Sequence, residues 1–174
     1  MNFFTPPDIR AFVARPSRVR LRRTQWDGLI AALGQRTAGI REAGAFLLAD
    51  AEAGHRPAVR RIVYFDDLDP DCLTGGISIG SAAFGKLWTL CRIDSLRVIA
   101  DVHTHPGTFV RQSDIDRANP MVALAGHIAI VMPHLATRRF EPRDCGVHVY
   151  LGGHRWDASL GPQAARLLYV GRWA

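Results

Sequence analysis

Two histidines, a serine and an aspartate within residues 101–116 have the types and the spacing of a metal site. They are His103, His105, Ser113 and Asp116, in the order H-x-H-x7-S-x2-D. Two imidazole nitrogens and one carboxylate oxygen of this set make three protein ligands for Zn²⁺. A tetrahedral ion then keeps its fourth position for water, as in catalytic rather than structural zinc sites. The spacing therefore predicts hydrolytic zinc chemistry.

The segments around these residues predict how the side chains converge. Residues 96–102 are mostly aliphatic and β-branched, which predicts a buried strand that runs into His103. Side chains two apart in a strand point to the same face, so His103 and His105 would present both imidazoles on one side. Ser113 is a typical helix N-cap, and Asp116 in the first turn would fold back toward the histidines.

Simpler roles are open to the same residues. Ser113 and Asp116 could form only a capping box, and a histidine at a strand end is often structural. Capping and coordination are compatible roles for one helical turn. Asp101 shares a strand face with His103 and could hold its second ring nitrogen. An ordinary surface or main-chain contact would explain Asp101 equally well.

Glu42 is the candidate for the base that such a hydrolysis needs. The base takes a proton from the attacking water and passes it to the leaving amine. Glu42 starts a small and apolar segment that predicts a second buried strand, over residues 41–49. A buried carboxylate without a purpose is costly. By itself Glu42 would be interpreted as a surface residue, and its functional interpretation depends on the metal-ligand set.

These residues together resemble the motif of the JAMM metalloproteases, which are JAB/MPN domains with an intact metal site. The matching positions are Glu42, H-T-H-P from His103 and S-D-I-D from Ser113. The resemblance covers roughly residues 18–152. It implies that His103, His105 and Asp116 bind one zinc ion and that Glu42 is the general acid/base. It also implies that Ser113 steadies the catalytic water or the oxyanion.

The chain departs from the family pattern in the strand after the glutamate. Where the family commonly has glycines three and seven residues on, this chain has Ala45 and Ala49. Both replacements are small, so we expect close packing around the strand to be retained.

The resemblance implies a zinc-dependent isopeptidase or peptidase that cleaves a ubiquitin-like modifier from its conjugates or from its precursor tail. Compact prokaryotic members occur beside ubiquitin-like conjugation enzymes, including those of antiviral defence systems, and this implies such enzymes as partners. Two alternatives stay open. One is a zinc peptidase that trims an adduct from a sulfur-carrier protein. The other is a non-catalytic scaffold of the same fold, against which the complete motif argues.

The rest of the chain predicts a single α/β domain of 174 residues, a JAB/MPN-like sandwich with a mixed sheet flanked by helices. Its ends are an N-terminal arm, residues 1–17, and a C-terminal extension, residues 153–174. We expect loops 66–76 and 133–144 to shape a substrate groove. The predicted elements are strands at 18–22, 41–49, 58–65, 77–79, 96–102, 127–132 and 145–151, and helices that start at a Thr24 cap, at a Ser81 cap and after Pro162.

The excess of positive charge lies ahead of Glu42. Residues 1–41 contain eight arginines and two aspartates, and the remaining charges balance. Such a segment could steer acidic partners or touch nucleic acid. No aromatic stacking platform is interleaved with these arginines, so we do not expect nucleic-acid binding. The sequence has no signal peptide and no apolar stretch that could span a membrane, which predicts a cytoplasmic protein.

Overall fold

A mixed β-sheet forms the centre of the molecule. The structure is a computed structural model and describes residues 18–74 and 76–172. Its strands are β1 (Val19–Arg22), β2 (Gly44–Asp50), β3 (Arg61–Tyr64), β4 (Leu96–Thr104), β5 (Ile128–Met132), β6 (Gly146–Gly152), β7 (Arg155–Ser159) and β8 (Leu168–Gly171). Its α-helices are α1 (Arg23–Thr37), α2 (Phe65–Leu68), α3 (Ser81–Ile93), α4 (Asp114–Ala118) and α5 (Ala164–Leu167).

Six strands pair in the order β3-β2-β4-β5-β6-β7. Only β4 and β5 are parallel in this sheet, and the other neighbouring pairs are antiparallel. All of β5 and the first six residues of β2 are buried, because interior strands covered on both faces carry continuous apolar sequence. The predicted fold class, α/β with a mixed sheet flanked by helices, is confirmed. The predicted N-terminal arm, residues 1–17, lies outside the described residues.

Helix α1 packs the face that the sequence predicted. Trp26, Leu29, Ile30 and Leu33 are all buried, since positions i, i+3, i+4 and i+7 share one side of a helix. The indole N–H of Trp26 donates to the buried carbonyl oxygen of Phe140 at 2.8 Å.

Two of the three predicted helix caps, Thr24 and Ser81, are displaced by two residues and one residue. Helix α1 begins at Arg23, so Thr24 lies inside the helix and Arg22 is its N-cap. Helix α3 begins at Ser81, and Gly80 is its N-cap. Neither cap residue makes a side-chain capping hydrogen bond, so the cap rule had no side-chain signal at the true boundary.

Two other predicted elements are wrong. Residues 77–79 form no strand, and Ile77 makes only an isolated bridge to Leu73. The segment after Pro162 keeps one helical turn, α5, and then becomes β8, which pairs in parallel with β1. Leu168 is buried opposite Val19, and this pairing overrides the helical pattern. The C-terminal extension is therefore joined to the start of the described chain.

None of the helices in the described residues combines the length and the apolar character that crossing a bilayer requires.

The end of α1 provides a test of the backbone geometry. Ala38 adopts a left-handed conformation with φ of 49°, which glycine adopts without the steric penalty of a Cβ. We expect Ala38→Gly to raise the free energy of unfolding by about 1 kcal/mol. Ala31→Gly, at an exposed position inside the same helix, should lower it by about 1 kcal/mol. Urea unfolding measures both, and changes of the same sign would contradict the assignment.

Candidate metal centre

The two histidines of the motif bring their rings together at the end of β4. His103 lies in the strand and His105 just beyond it, and both are buried. Their Nε2 atoms are 3.2 Å apart. Nδ1 of His105 lies 3.1 Å from the carbonyl oxygen of Phe109, and Nδ1 of His103 lies 3.9 Å from Oδ2 of Asp101. Each ring therefore turns Nδ1 toward a protein acceptor and Nε2 toward the other histidine.

Asp116 reaches the same point from the first turn of α4. Its Oδ2 atom lies 3.2 Å from Nε2 of His105 and 3.6 Å from Nε2 of His103. Ser113 is the N-cap of this helix, as predicted. Its hydroxyl donates to Asp116 Oδ2 at 2.7 Å and accepts from the Asp116 backbone N–H at 3.2 Å. The capping box and the convergence on the histidines thus occur together.

The spacing of these three ligand atoms fits a zinc ion. Tetrahedral zinc, with bonds of roughly 2.0–2.2 Å, separates its ligand atoms by about 3.3–3.5 Å. The three separations here are 3.2, 3.2 and 3.6 Å. In the part of the chain that the structure describes, this is the one group of three His, Cys, Asp or Glu side chains close enough to share a metal ion. We call His103, His105 and Asp116 the ligand triad.

Glu42 is carried to the triad by the pairing of β2 with β4. It lies two residues ahead of β2, and not inside the strand as the sequence predicted. Gly44 is the residue opposite His103 in this antiparallel pair. Ala43 extends the hydrogen bonding between the two segments beyond the end of β2. Its carbonyl oxygen accepts from the Thr104 backbone N–H, and its own N–H donates to the Thr104 hydroxyl, both at 3.0 Å.

Glu42 lines a cavity together with His103, Ser113 and Asp116. Burial raises its pKa, while His105 and His103 act to lower it and Asp116 acts to raise it. All three members of the triad therefore lie within electrostatic reach of this half-buried carboxylate. A raised pKa makes a carboxylate a stronger proton acceptor than an ordinary surface carboxylate.

The triad favours positive charge at its centre. Burial by itself would lower the pKa of His103, but the nearby carboxylates of Asp101 and Asp116 outweigh it and raise the pKa to about 9. Burial would raise the pKa of Asp116, yet His103 and His105 hold it well below its usual range. Carboxylate and imidazole thus stabilise each other's charged forms. A metal ion would displace the proton from His103 and would then be attracted by the same carboxylates.

Asp101 lies behind His103 and is only 2% exposed. A surface role is therefore excluded for this residue. Its Oδ1 atom lies 2.6 Å from Nε2 of His127, and its Oδ2 atom faces His103. Burial would raise the pKa of Asp101, but the two histidines outweigh it and lower the pKa. Asp101 is thus a buried carboxylate shared by two imidazoles.

Two cavities meet at the triad and share Glu42 and Ser113. One has a volume of about 240 Å³ and reaches His103, and the other has a volume of about 570 Å³ and reaches His105. The further residues of the first cavity are Gly76, Ile77, Asp101, Gln112, Ile115, Asp116, Asn119, Pro120, Met121, Ala129 and Trp156. Those of the second are Pro106, Gly107, Thr108 and Phe109. A chain passing through both cavities would cross the triad.

The sequence identified only part of this lining. Residues 66–76 contribute Gly76, as expected. Residues 133–144 instead line a separate cavity with Thr108, because the backbone N–H of Leu135 donates to the His105 carbonyl oxygen and holds this segment against the strand end. Trp156 had no sequence signal, since no strand was predicted after Gly153.

No model of a known protein family matches the sequence. Among solved structures, a protein from Desulfitobacterium hafniense has a TM-score of 0.56 at 19% identity, covering 87% of this chain and 92% of that one. A protein from Salinibacter ruber has a TM-score of 0.54 at 12% identity, covering 79% and 86%. These two likenesses show a shared fold.

A third similar structure is that of a protein with a named domain family. It is a JAB1/MPN domain protein from Archaeoglobus fulgidus, with a TM-score of 0.43 at 14% identity, covering 78% of this chain and 92% of that one. A likeness this weak does not by itself assign the chain to the family.

Ser113 provides a test of the link between the helix cap and the triad. We expect Ser113→Ala to lower the free energy of unfolding by about 1 kcal/mol, because the N-cap acceptor is lost. We also expect it to weaken zinc binding by about 10-fold or more, because Asp116 loses the hydroxyl that orients it. Ser113→Thr keeps the hydroxyl and should change both quantities little. Chelator competition measures the affinity, and equal zinc affinity in Ser113→Ala and wild type would contradict the link.

Gly44 provides a test of the strand pairing that carries Glu42. A Cβ atom at this position would overlap the Phe65 ring and the carbonyl oxygen of Val102. We expect Gly44→Ala to lower the free energy of unfolding by about 2 kcal/mol through overpacking. Gly28→Ala is the matched control, since no atom lies near the added methyl group and alanine favours the helix. Denaturant unfolding that shows no loss for Gly44→Ala would contradict the close packing.

Proposed function

We propose that this protein is a zinc-dependent peptidase of the JAMM type, which hydrolyses an amide bond to a ubiquitin-like modifier. The observation that carries the proposal is the half-buried Glu42 carboxylate beside three ligand atoms spaced as on one face of a tetrahedron. The motif that resembles JAMM proteases contains these four residues and Ser113. The JAB/MPN-like sandwich that this family implies is compatible with the mixed sheet observed here.

The proposed cofactor is one zinc ion, held by the ligand triad. When bound, it supplies Lewis-acid polarisation of the substrate carbonyl and activation of water. Once a metal displaces the proton of His103, the triad offers two imidazole nitrogens and one carboxylate oxygen, which is a donor set that catalytic zinc sites use. The Phe109 carbonyl oxygen and Asp101 lie at the far sides of the two rings, where acceptors help to fix which nitrogen faces the metal.

Glu42 is the proposed general acid/base. It would accept a proton from the attacking water and return it to the nitrogen of the leaving amine. Burial raises its pKa, which brings the carboxyl group closer to the range in which proton uptake and release are both accessible.

Ser113 has two proposed roles that use the same hydroxyl. In the structure this hydroxyl donates a hydrogen bond to Asp116, and this bond orients the carboxylate. Stabilisation of the oxyanion would require the hydroxyl to turn away from Asp116 and toward the substrate. Ser113 lines both cavities, so a substrate bound in either cavity would lie next to its side chain.

The two cavities support a substrate with chains on both sides of the scissile bond. Glu42 and Ser113 lie where the cavities meet, so the acyl part of the substrate could occupy one cavity and the amine part the other. This arrangement suits the extended C-terminal tail of a modifier joined to a lysine or to a precursor segment. The modifier, the conjugation enzymes as partners and an antiviral defence context come from the resemblance alone.

Replacement of the proposed base tests the function. We expect wild-type protein to contain about one zinc per chain, and Glu42→Gln to keep that zinc while kcat falls on the order of 10³-fold, because the proton acceptor is lost. Glu52→Gln makes the same chemical change at an exposed position and should retain wild-type activity. The substrates are a linear modifier fusion, a lysine isopeptide conjugate and a sulfur-carrier protein with a C-terminal amino-acid adduct.

The outcomes separate the open alternatives. Cleavage of the modifier substrates, abolished by a chelator and restored by zinc, supports the proposal. Cleavage of the carrier adduct alone would support the sulfur-carrier peptidase instead. Protein without stoichiometric zinc, and a Glu42→Gln variant that equals wild type on every substrate, would support a non-catalytic scaffold.

A further inference from the structure

A buried hydrogen bond outside the JAMM-like motif connects a third histidine to the triad. His127 lies directly before β5, which pairs in parallel with β4. Its Nε2 atom is 2.6 Å from Oδ1 of Asp101, and the two side chains are 3% and 2% exposed. An ionised carboxylate can only accept, so the N–H at Nε2 of His127 donates this bond. Charge-assisted bonds of this length are among the stronger ones in proteins.

The bond determines how the Asp101 carboxylate is turned. With Oδ1 held by His127, Oδ2 faces Nδ1 of His103 at 3.9 Å. This distance is longer than a hydrogen bond but within the range of an ion pair, so the carboxylate acts on the His103 ring through its charge. The opposite ring nitrogen of His103, Nε2, is the one that faces the triad.

The two histidines of the triad are thus held in different ways. Nδ1 of His105 has a main-chain acceptor, the carbonyl oxygen of Phe109, at hydrogen-bond distance. Nδ1 of His103 instead faces the Asp101 carboxylate at 3.9 Å, and the orientation of that carboxylate depends on His127. In metal sites, a carboxylate at the second ring nitrogen fixes the tautomer and raises the donor strength of the coordinating nitrogen. The loss of His127 would therefore affect the metal through His103.

We propose that His127 is a positioning residue which, through Asp101, holds His103 in the orientation and tautomer that bind the metal. This inference rests on the proposed zinc site. A purely structural role for His127 would be limited to satisfying the buried Asp101 carboxylate, and it would affect folding without changing the zinc affinity of the folded protein.

Two substitutions of His127 by amide side chains of different length test the proposal. The contact is made by Nε2, and the terminal nitrogen of glutamine can occupy that position, whereas the shorter asparagine cannot reach it. We expect His127→Asn to weaken zinc binding by about 10-fold to 100-fold. We expect His127→Gln to remain within about 3-fold of wild type, because its N–H can still donate to Asp101. Chelator competition on folded protein measures the affinities.

A spectroscopic readout and a double-mutant cycle show whether the effect passes through Asp101. The visible absorption of Co²⁺-substituted protein should shift in His127→Asn, because the geometry at His103 changes, and it should be restored in His127→Gln. In an Asp101→Asn background, His127→Asn should cause little further loss of zinc affinity, since residues that act in series are not additive. His148→Gln is the control, because His148 is equally buried and its Nε2 faces the Val110 carbonyl oxygen instead.

Each result decides between the alternatives. Wild-type zinc affinity and an unshifted cobalt spectrum in His127→Asn would overturn the positioning role. A loss of the same size with and without Asp101→Asn would overturn it as well. A wild-type protein that binds no zinc would overturn the proposed function itself, and this is seen before any variant is made. Lower thermal stability with unchanged zinc affinity would assign His127 a structural role only.

Discussion

The antiparallel pairing of β2 with β4 is the interaction on which the rest of the candidate site depends. Paired strands lie about 4.8 Å apart, and Gly44 opposite His103 sets which residues face each other. This register places Glu42, two residues before β2, beside the imidazoles at the end of β4. The register also needs a residue without a side chain at position 44, since the Phe65 ring and the Val102 carbonyl oxygen fill the space that a Cβ would take. Glu42 and His103 are therefore brought together by backbone hydrogen bonds between the two strands.

Charge compensation makes it possible to bury so many ionisable groups in one place. Asp101, His103, His105 and His127 are all nearly inaccessible, and isolated charges there would be strongly disfavoured. Each carboxylate instead lies between two imidazoles: Asp101 between His103 and His127, and Asp116 between His103 and His105. His103 belongs to both groups, and it couples the core of the sheet to the open side of the site. Our proposal that His127, which lines neither cavity, acts on a bound metal depends on this coupling.

The fold and the chemistry have separate support. Solved structures with TM-scores above 0.5 show that the fold is shared with other proteins, but a fold by itself does not determine an activity. The case for hydrolysis comes from the site: three ligand atoms spaced for one metal ion, a half-buried carboxylate beside them, and two cavities that meet at Glu42 and Ser113. These features depend on side-chain type and position, and for that reason they can be tested residue by residue.

The amino-acid sequence alone determined the features that depend on residues close together in the chain. Alternation along β4 places His103 and His105 on one face, the Ser113 cap turns Asp116 inward, and helical spacing buries Trp26 and its neighbours, because these features depend on residues within one turn or one strand. Only the tertiary structure decided the features that depend on distant pairing. It placed Glu42 outside its strand, joined His127 to Asp101, brought Trp156 to the cavity and converted Leu168–Gly171 into a strand on β1. Those contacts join segments up to about 150 residues apart, and no periodicity in the sequence carries information over that separation.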